Sequence, residues 1–343
     1  MKLPRRFRRT AVLLVALIGF SSTLYSQRPK PKSKSPVTEQ SVRAYMTALA
    51  GDEMNGRGSA SADELEAAKY IAAQLKLLKV APAGDAGGYL QTVKFMRRQR
   101  GNPGATPVDA ITTNVIGILR GRDATRTKET ILLSAHLDHL GIGREVNGDK
   151  IYNGADDDAS GVTAVLELAR ALASGPKPKR TVIFVLFGSE EIGGWGARYF
   201  QDHPPVPLET FVANLEFEMI GRPDTAVAPH TLWLTGFERS DLGKQLAAHG
   251  ARLVADPHPA ERFFQRSDNY VLARKGIIAH TVSSFGLHPD YHRPSDTADK
   301  INYEKMERIL RLLYLSTWEL ADQTSPPRFV APKSTAEAAN QPR

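Results

Sequence analysis

Apolar positions along the chain follow two spacings, one helical and one extended. Ser61-Ala-Asp-Glu64 has the form of a capping box, in which the Ser61 hydroxyl takes the Glu64 amide and the Glu64 carboxylate returns to the cap. Leu65, Ala68, Ile71, Ala72, Leu75 and Leu78 follow at helical spacing. Further helical patterns fall at 160–173, 195–202, 240–249 and 303–321, the last with Met306, Ile309, Leu310, Leu313 and Leu320 on one face. Strand-like runs occur at 113–119, 130–135, 181–187, 211–217, 231–235 and 277–283. Continuously apolar strands interleaved with helices predict an α/β fold with a mostly parallel twisted central sheet and helices on both faces. In such sheets ligands bind beyond the carboxyl ends of the strands.

The ends of the chain differ from this pattern. Basic residues followed by an apolar run from Ala11 to Phe20 predict a signal peptide or an N-terminal anchor over 1–26, and hence an exported protein, periplasmic or secreted. Membrane contact is expected only if that segment is retained. Residues 27–36 are rich in Pro, Lys and Ser and are expected to form a basic linker, and 324–343 a disordered tail. The nine basic residues before position 36 exceed the whole net charge of +8, so the folded part carries no basic excess and no nucleic-acid partner is expected. The chain has no cysteine, which excludes disulfides, thiolate-ligated metals and thiol nucleophiles. Nucleotide-binding glycine motifs, a G-x-S-x-G elbow and H-E-x-x-H are absent.

The residues able to do chemistry fall at predicted strand ends. His136 and Asp138 follow the run at 130–135, Glu190 and Glu191 the run at 181–187, and Glu218 the run at 211–217. The run at 277–283 leads to His292 and Asp296, and Asp156, Asp157 and Asp158 open the helix at 160–173. Glu216 and Glu218 alternate and so share one face of a strand. Each is unremarkable alone: adjacent glutamates are usually solvated, and aspartates suit a helix N-terminus. Converging at one end of one sheet, they repel unless cations neutralise them. Two divalent ions sharing a bridging carboxylate meet that need, and an imidazole and carboxylate donor set suits zinc, with manganese or cobalt as substitutes. Within Glu190-Glu191, one carboxylate then serves as a ligand and its neighbour as a general base. Asp138 is placed to accept the other imidazole N–H of His136, and Asp296 that of His292.

The segments SAHLDHLG (134–141), NGADDDASG (153–161), FGSEEIGGWGA (187–197), FEMIGR (217–222), RSDNY (266–270) and YHRPSDT (291–297) resemble, in order and spacing over residues 40–320, the M28 family of zinc peptidases. That family comprises bacterial aminopeptidases and also includes glutamate carboxypeptidase II. The resemblance implies the zinc-dependent exopeptidase fold, two zinc ions, and hydrolysis of peptide substrates. His136 and Glu218 would hold one ion, Glu191 and His292 the other, with Asp157 bridging and Glu190 as general base. Ser267, Asp268 and Tyr291 match a region near the substrate. The peptide after the bridging aspartate is often cis in the family. Where many members have Asp, this chain has Glu218, whose longer side chain must reach from a more withdrawn backbone. The short chain before residue 130 predicts a single peptidase domain over 37–323 without the protease-associated insertion of some relatives.

The activity expected is that of an aminopeptidase. Glutaminyl cyclases and carboxypeptidases use the same fold, and the transferrin receptor shows that it can lose its chemistry. Here all the ligand positions carry donors.

Overall fold

A computed structural model of the chain describes residues 35–98, 104 and 106–330. The expected export segment, most of the basic linker and residues 331–343 of the expected tail lie outside the described residues. In chain order the elements are α1 (Glu39–Leu49), α2 (Ala62–Leu77), β1 (Ala81–Pro82), β2 (Leu90–Arg97), β3 (Val108–Leu119), β4 (Thr130–His136), β5 (Gly141–Val146), β6 (Asp149–Tyr152), α3 (Gly161–Ser174), β7 (Thr181–Phe187), α4 (Trp195–Asp202), β8 (Phe211–Phe217), β9 (Leu232–Leu234), α5 (Leu242–Ala248), β10 (Leu253–Ala255), α6 (Asn269–Ala273), β11 (Ala279–Ser283) and α7 (Tyr303–Asp322).

The main sheet runs β1-β3-β7-β4-β8-β11-β9-β10, with β2 paired to β3. β7, β4, β8 and β11 are mutually parallel, as the interleaving of apolar strands with helices predicts. The flanks add antiparallel pairs, β3 with β7, β1 and β2 with β3, and β9 with β11, while β10 runs parallel to β9. Apolar runs report burial and not direction, which is why the sequence does not distinguish flank from centre. β3 also begins earlier than its apolar run, because its polar start pairs with β2.

Side chains of β4 and β7 alternate between two apolar layers. Ile131, Leu133, Val182 and Phe184 pack against the layer that includes α1, α2, α3 and α7. Leu132, Ile183, Val185 and Phe187 face the layer with Ala197 and Phe200 of α4 and Leu272 of α6. Helices thus cover both faces, as expected. α3 is buried along almost its whole length, which its small and aliphatic residues permit.

Two expectations are corrected. The Ser61 hydroxyl caps α2 by accepting from the Asp63 and Glu64 amides at 3.1 and 3.3 Å. The Glu64 carboxylate does not return to the cap residue; it turns inward and accepts from the Ala60 amide and the hydroxyls of Thr112 and Ser189. Burial pushes it up to about 8. Thr324–Val330, expected within a disordered tail, is bonded to the domain: the Asp241 amide donates to Arg328 O, the Arg328 amide to Asp241 Oδ1 at 2.8 Å, and the Val330 amide to Arg239 O. A Pro- and Ser-rich composition does not reveal such pairing. Among the described residues no helix is long and apolar enough to cross a membrane.

Candidate active site

The parallel centre delivers its chemistry at one edge. His136 ends β4, Glu190 and Glu191 follow β7, Glu218 follows β8, and His292 lies in the loop after β11. Ser189, Met219 and His292 all adopt left-handed backbone, with φ of 57°, 52° and 57°. Non-glycine residues pay for such conformations in strain, which concentrates where side chains must be aimed.

Spacing leaves open which of three aspartates is the acting one, and the structure separates them. Asp156 accepts from the Gly221 amide at 2.7 Å and faces His288 Nε2 at 3.0 Å. Asp158 accepts from the amides of Gly161 and Met219 at 2.9 and 3.1 Å, tying the start of α3 to the end of β8. Asp157 lies between two histidines, with Oδ1 3.2 Å from His136 Nε2 and Oδ2 3.1 Å from His292 Nε2. The Asp157–Asp158 peptide is cis.

His292 Nε2 also lies 3.2 Å from Glu191 Oε2. On the other oxygen of Glu191, at 2.8 Å, is Nδ1 of His139, a residue that the sequence reading passed over. Among the described residues, His139, Asp157, Glu191 and His292 bring one potential ligand atom each to within 4.8 Å of one another. His136 and Glu218 stand outside that group, His136 on the opposite oxygen of Asp157. The available signal was the second histidine of H-x-D-H, in the same strand-end loop.

Asp138 and Asp296 hold backbone instead of the imidazoles expected for them. Asp138 accepts from the Ser59 hydroxyl at 2.5 Å and from the amides of Glu190 and Glu191 at 3.0 and 3.3 Å. His136 Nδ1 is 3.2 Å from the main-chain oxygen of Asp138 and 3.8 Å from its carboxylate. Asp296 accepts from the amides of Asp156 and Asp157 at 3.0–3.1 Å. Turns without regular structure expose amides that need acceptors, and buried carboxylates are strong ones.

A cleft opens on these groups, lined by the carboxylates of Asp157, Glu190, Glu191 and Glu218 and by Met219, Trp233, Phe263, Phe285 and Tyr291. Tyr291 stacks on His292 at 3.9 Å between ring centroids. Ser267 and Asp268 are buried and do not line the cleft, whereas the adjacent Arg266 does.

Charge is unevenly distributed. Burial, reinforced by the nearby charges of Asp268, Glu218 and Glu191, holds Glu190 well above the usual carboxylate range, although His136 opposes this. Burial likewise raises Asp268 to about 7 and lifts Glu216 well above its ordinary value. Burial and the charge of Asp157 act upward on Glu191 as well, but the imidazoles of His139 and His292 win and bring it to about 2. Asp157 is also held low, its burial outweighed by His139, His136 and His292. The site thus contains ionised carboxylates facing histidines and a protonatable carboxylate, Glu190, beside them.

The model for "Peptidase family M28" matches residues 114–316. In sequence, the chain is 24% identical over 234 residues to aminopeptidase YwaD of Bacillus subtilis, covering 66% of this chain and 49% of that protein. A further similarity, 29% over 225 residues, is to the uncharacterized protein YfbL of Escherichia coli, covering 54% and 67%. The chain spans about half the length of the first of these relatives. In fold it is similar to the zinc aminopeptidase BSAP from Bacillus subtilis, with a TM-score of 0.66 at 15% identity over 84% of this chain and 97% of that one. It is also similar to the glutaminyl cyclase of Porphyromonas gingivalis, with a TM-score of 0.61 at 16% identity over 83% and 99%. With the family model covering more than half of the sequence, the chain belongs to peptidase family M28.

Proposed function

We propose that the protein is a two-zinc exopeptidase that removes N-terminal residues from peptides, with Glu190 as general base. The observation that carries this reading is Asp157, whose two carboxylate oxygens face His136 and His292 on opposite sides at 3.2 and 3.1 Å. Neither of these nitrogens makes a hydrogen bond, although His136 is buried. Buried polar atoms seldom stay unpaired. Donor atoms that approach without bonding to one another suit cations held between them, and the donor set of imidazoles and carboxylates suits zinc. His136, Asp157 and Glu218 would hold one ion, and Asp157, Glu191 and His292 the other.

Zinc bound there would polarise the scissile carbonyl and ease deprotonation of water. Glu190 borders the cleft, and its carboxylate accepts no hydrogen bond from the described residues. It is therefore free to take the proton of the attacking water and pass it to the leaving amine. Asp138 acts through the backbone, holding the Glu190 and Glu191 amides in place. The aromatic wall of Trp233, Phe263, Phe285 and Tyr291 would receive an apolar side chain. Export directed by the N-terminal segment belongs to the same proposal.

Glu190→Gln should lower turnover about 100- to 10,000-fold while leaving zinc content and unfolding temperature unchanged. Near wild-type turnover would remove Glu190 from the role. A panel of free, N-blocked and C-blocked peptides, including ones beginning with glutamine, tests the rest: cleavage of N-blocked peptides from the carboxyl end, or cyclisation without release of an amino acid, would refute the aminopeptidase assignment.

A further inference from the structure

We infer that His139 is a metal ligand, completing with Asp157, Glu191 and His292 a set of four protein donors around the ion that binds first. This rests on the metal-dependent reading above and adds a residue to its donor set.

The ring is wholly buried, and neither Nδ1 nor Nε2 has a hydrogen-bond partner. A structural core histidine would satisfy at least one nitrogen. Nδ1 lies 2.8 Å from Glu191 Oε1, a distance at which a hydrogen bond is expected. Yet neither Nδ1 nor Oε1 has a partner that meets hydrogen-bond geometry. His136 and His292 show the same signature: Nε2 lies 3.1–3.2 Å from carboxylate oxygens and is likewise unbonded. Two donors sharing an ion aim their lone pairs at a point between them and not at each other.

The spacing agrees. Zinc bonds of ~2.0–2.1 Å at tetrahedral angles separate ligand atoms by about 3.3 Å. The observed separations are 2.8 Å for His139 to Glu191, 3.8 Å for His139 to Asp157, 3.1 Å for His292 to Asp157 and 3.2 Å for His292 to Glu191. They scatter around that value.

The backbone fixes the ring in this place. The His139 amide donates to Arg57 O, and its carbonyl accepts from the Ser59 amide. Gly154, at φ +57°, leaves the space the ring occupies: a Cβ there would come within 2.5 Å of the ring's Cγ and Cδ2. His139 is not among the residues lining the aromatic cleft, so it does not serve as a substrate contact there. Four protein donors fill a tetrahedral shell, the arrangement of tightly held zinc, and the inferred order of filling follows.

The test is made on the full protein stripped with chelator and reloaded with one equivalent of zinc. X-ray absorption at the zinc edge counts imidazoles, and competition with a chromophoric chelator gives the dissociation constant. Two imidazoles are expected in the wild type and one in His139→Phe, which keeps the ring volume without its nitrogens. The dissociation constant of the variant should rise about 100-fold or more. One imidazole in the wild type overturns the inference even if the variant fails to fold. An unchanged dissociation constant in a folded variant overturns it too. If the wild type binds no zinc, the metal-dependent reading fails and this inference with it. Zinc bound with two imidazoles but no peptide hydrolysed leaves the inference standing and refutes only the activity.

Discussion

Arg57 is the buried cation on which the site loops converge, and its replacement has a calculable cost. Its side chain is fully buried and donates from Nε to Leu137 O at 2.9 Å, from Nη1 to Asn153 O at 2.8 Å and to Leu49 O, and from Nη2 to Gly154 O at 2.9 Å. These carbonyls belong to α1, to the residue before Asp138, and to the approach to Asp157. The carboxylates of Asp158, Asp138, Asp157 and Asp296 favour its charge, although burial opposes it. Arg57→Met preserves length and apolar bulk, removes the charge and breaks four hydrogen bonds, after which Gly154 O keeps only the Ala159 amide and Leu49 O, Leu137 O and Asn153 O lose their side-chain donor. At ~1.5 kcal/mol for each charged hydrogen bond the gross loss is about 6 kcal/mol. Burying the methionine returns ~2 kcal/mol. The net loss of about 4 kcal/mol matches the usual cost of breaking a buried charge network and is a large part of a typical domain's stability. Urea unfolding monitored by circular dichroism, with chelator present so that metal binding does not contribute, measures it. Arg57→Lys, with fewer donors in another geometry, should fall between wild type and Met. A loss below ~1 kcal/mol for Arg57→Met would refute the view that these bonds hold the loops.

His280 offers a pH test remote from the cluster of carboxylates. It accepts from the Ser240 hydroxyl on Nε2 at 2.8 Å and donates from Nδ1 to Thr235 O at 2.7 Å, and burial lowers it to about 4. The unfolded chain, titrating near 6.5, binds more protons between those values. The stabilisation is therefore complete above pH ~6.5 and lost as pH falls toward ~4, roughly 3 kcal/mol in all. His280→Gln should flatten the urea midpoint across that interval; identical slopes in the two proteins would refute the assignment. Asp138→Asn removes a carboxylate that accepts from both the Glu190 and Glu191 amides and should cost about 10- to 100-fold in peptide hydrolysis. An active Asp138→Asn would show that the turn holds its shape without it.

Periodicity and local chemistry made much of this protein legible before folding. The central strands, the main helices and the placing of His136, Glu190, Glu191 and Glu218 at strand ends follow from runs of apolar side chains, because burial in a two-sided sheet imposes them. Membership of the M28 family likewise lies in linear motifs. Other features depend on contacts between residues far apart in the chain. Strand direction at the sheet flanks, the inward turn of Glu64 and the pairing of Thr324–Val330 with Arg239 and Asp241 carry no local signature. Neither do the backbone roles of Asp138 and Asp296, which are set by amides that only the folded turns expose. Three adjacent aspartates are equivalent as sequence. They differ in the fold because the amides of Gly221, Gly161 and Met219 engage Asp156 and Asp158 and leave Asp157 to the histidines. His139 joined the site in the same way: its ring reaches Glu191 only because Gly154, fifteen residues on, leaves room for it.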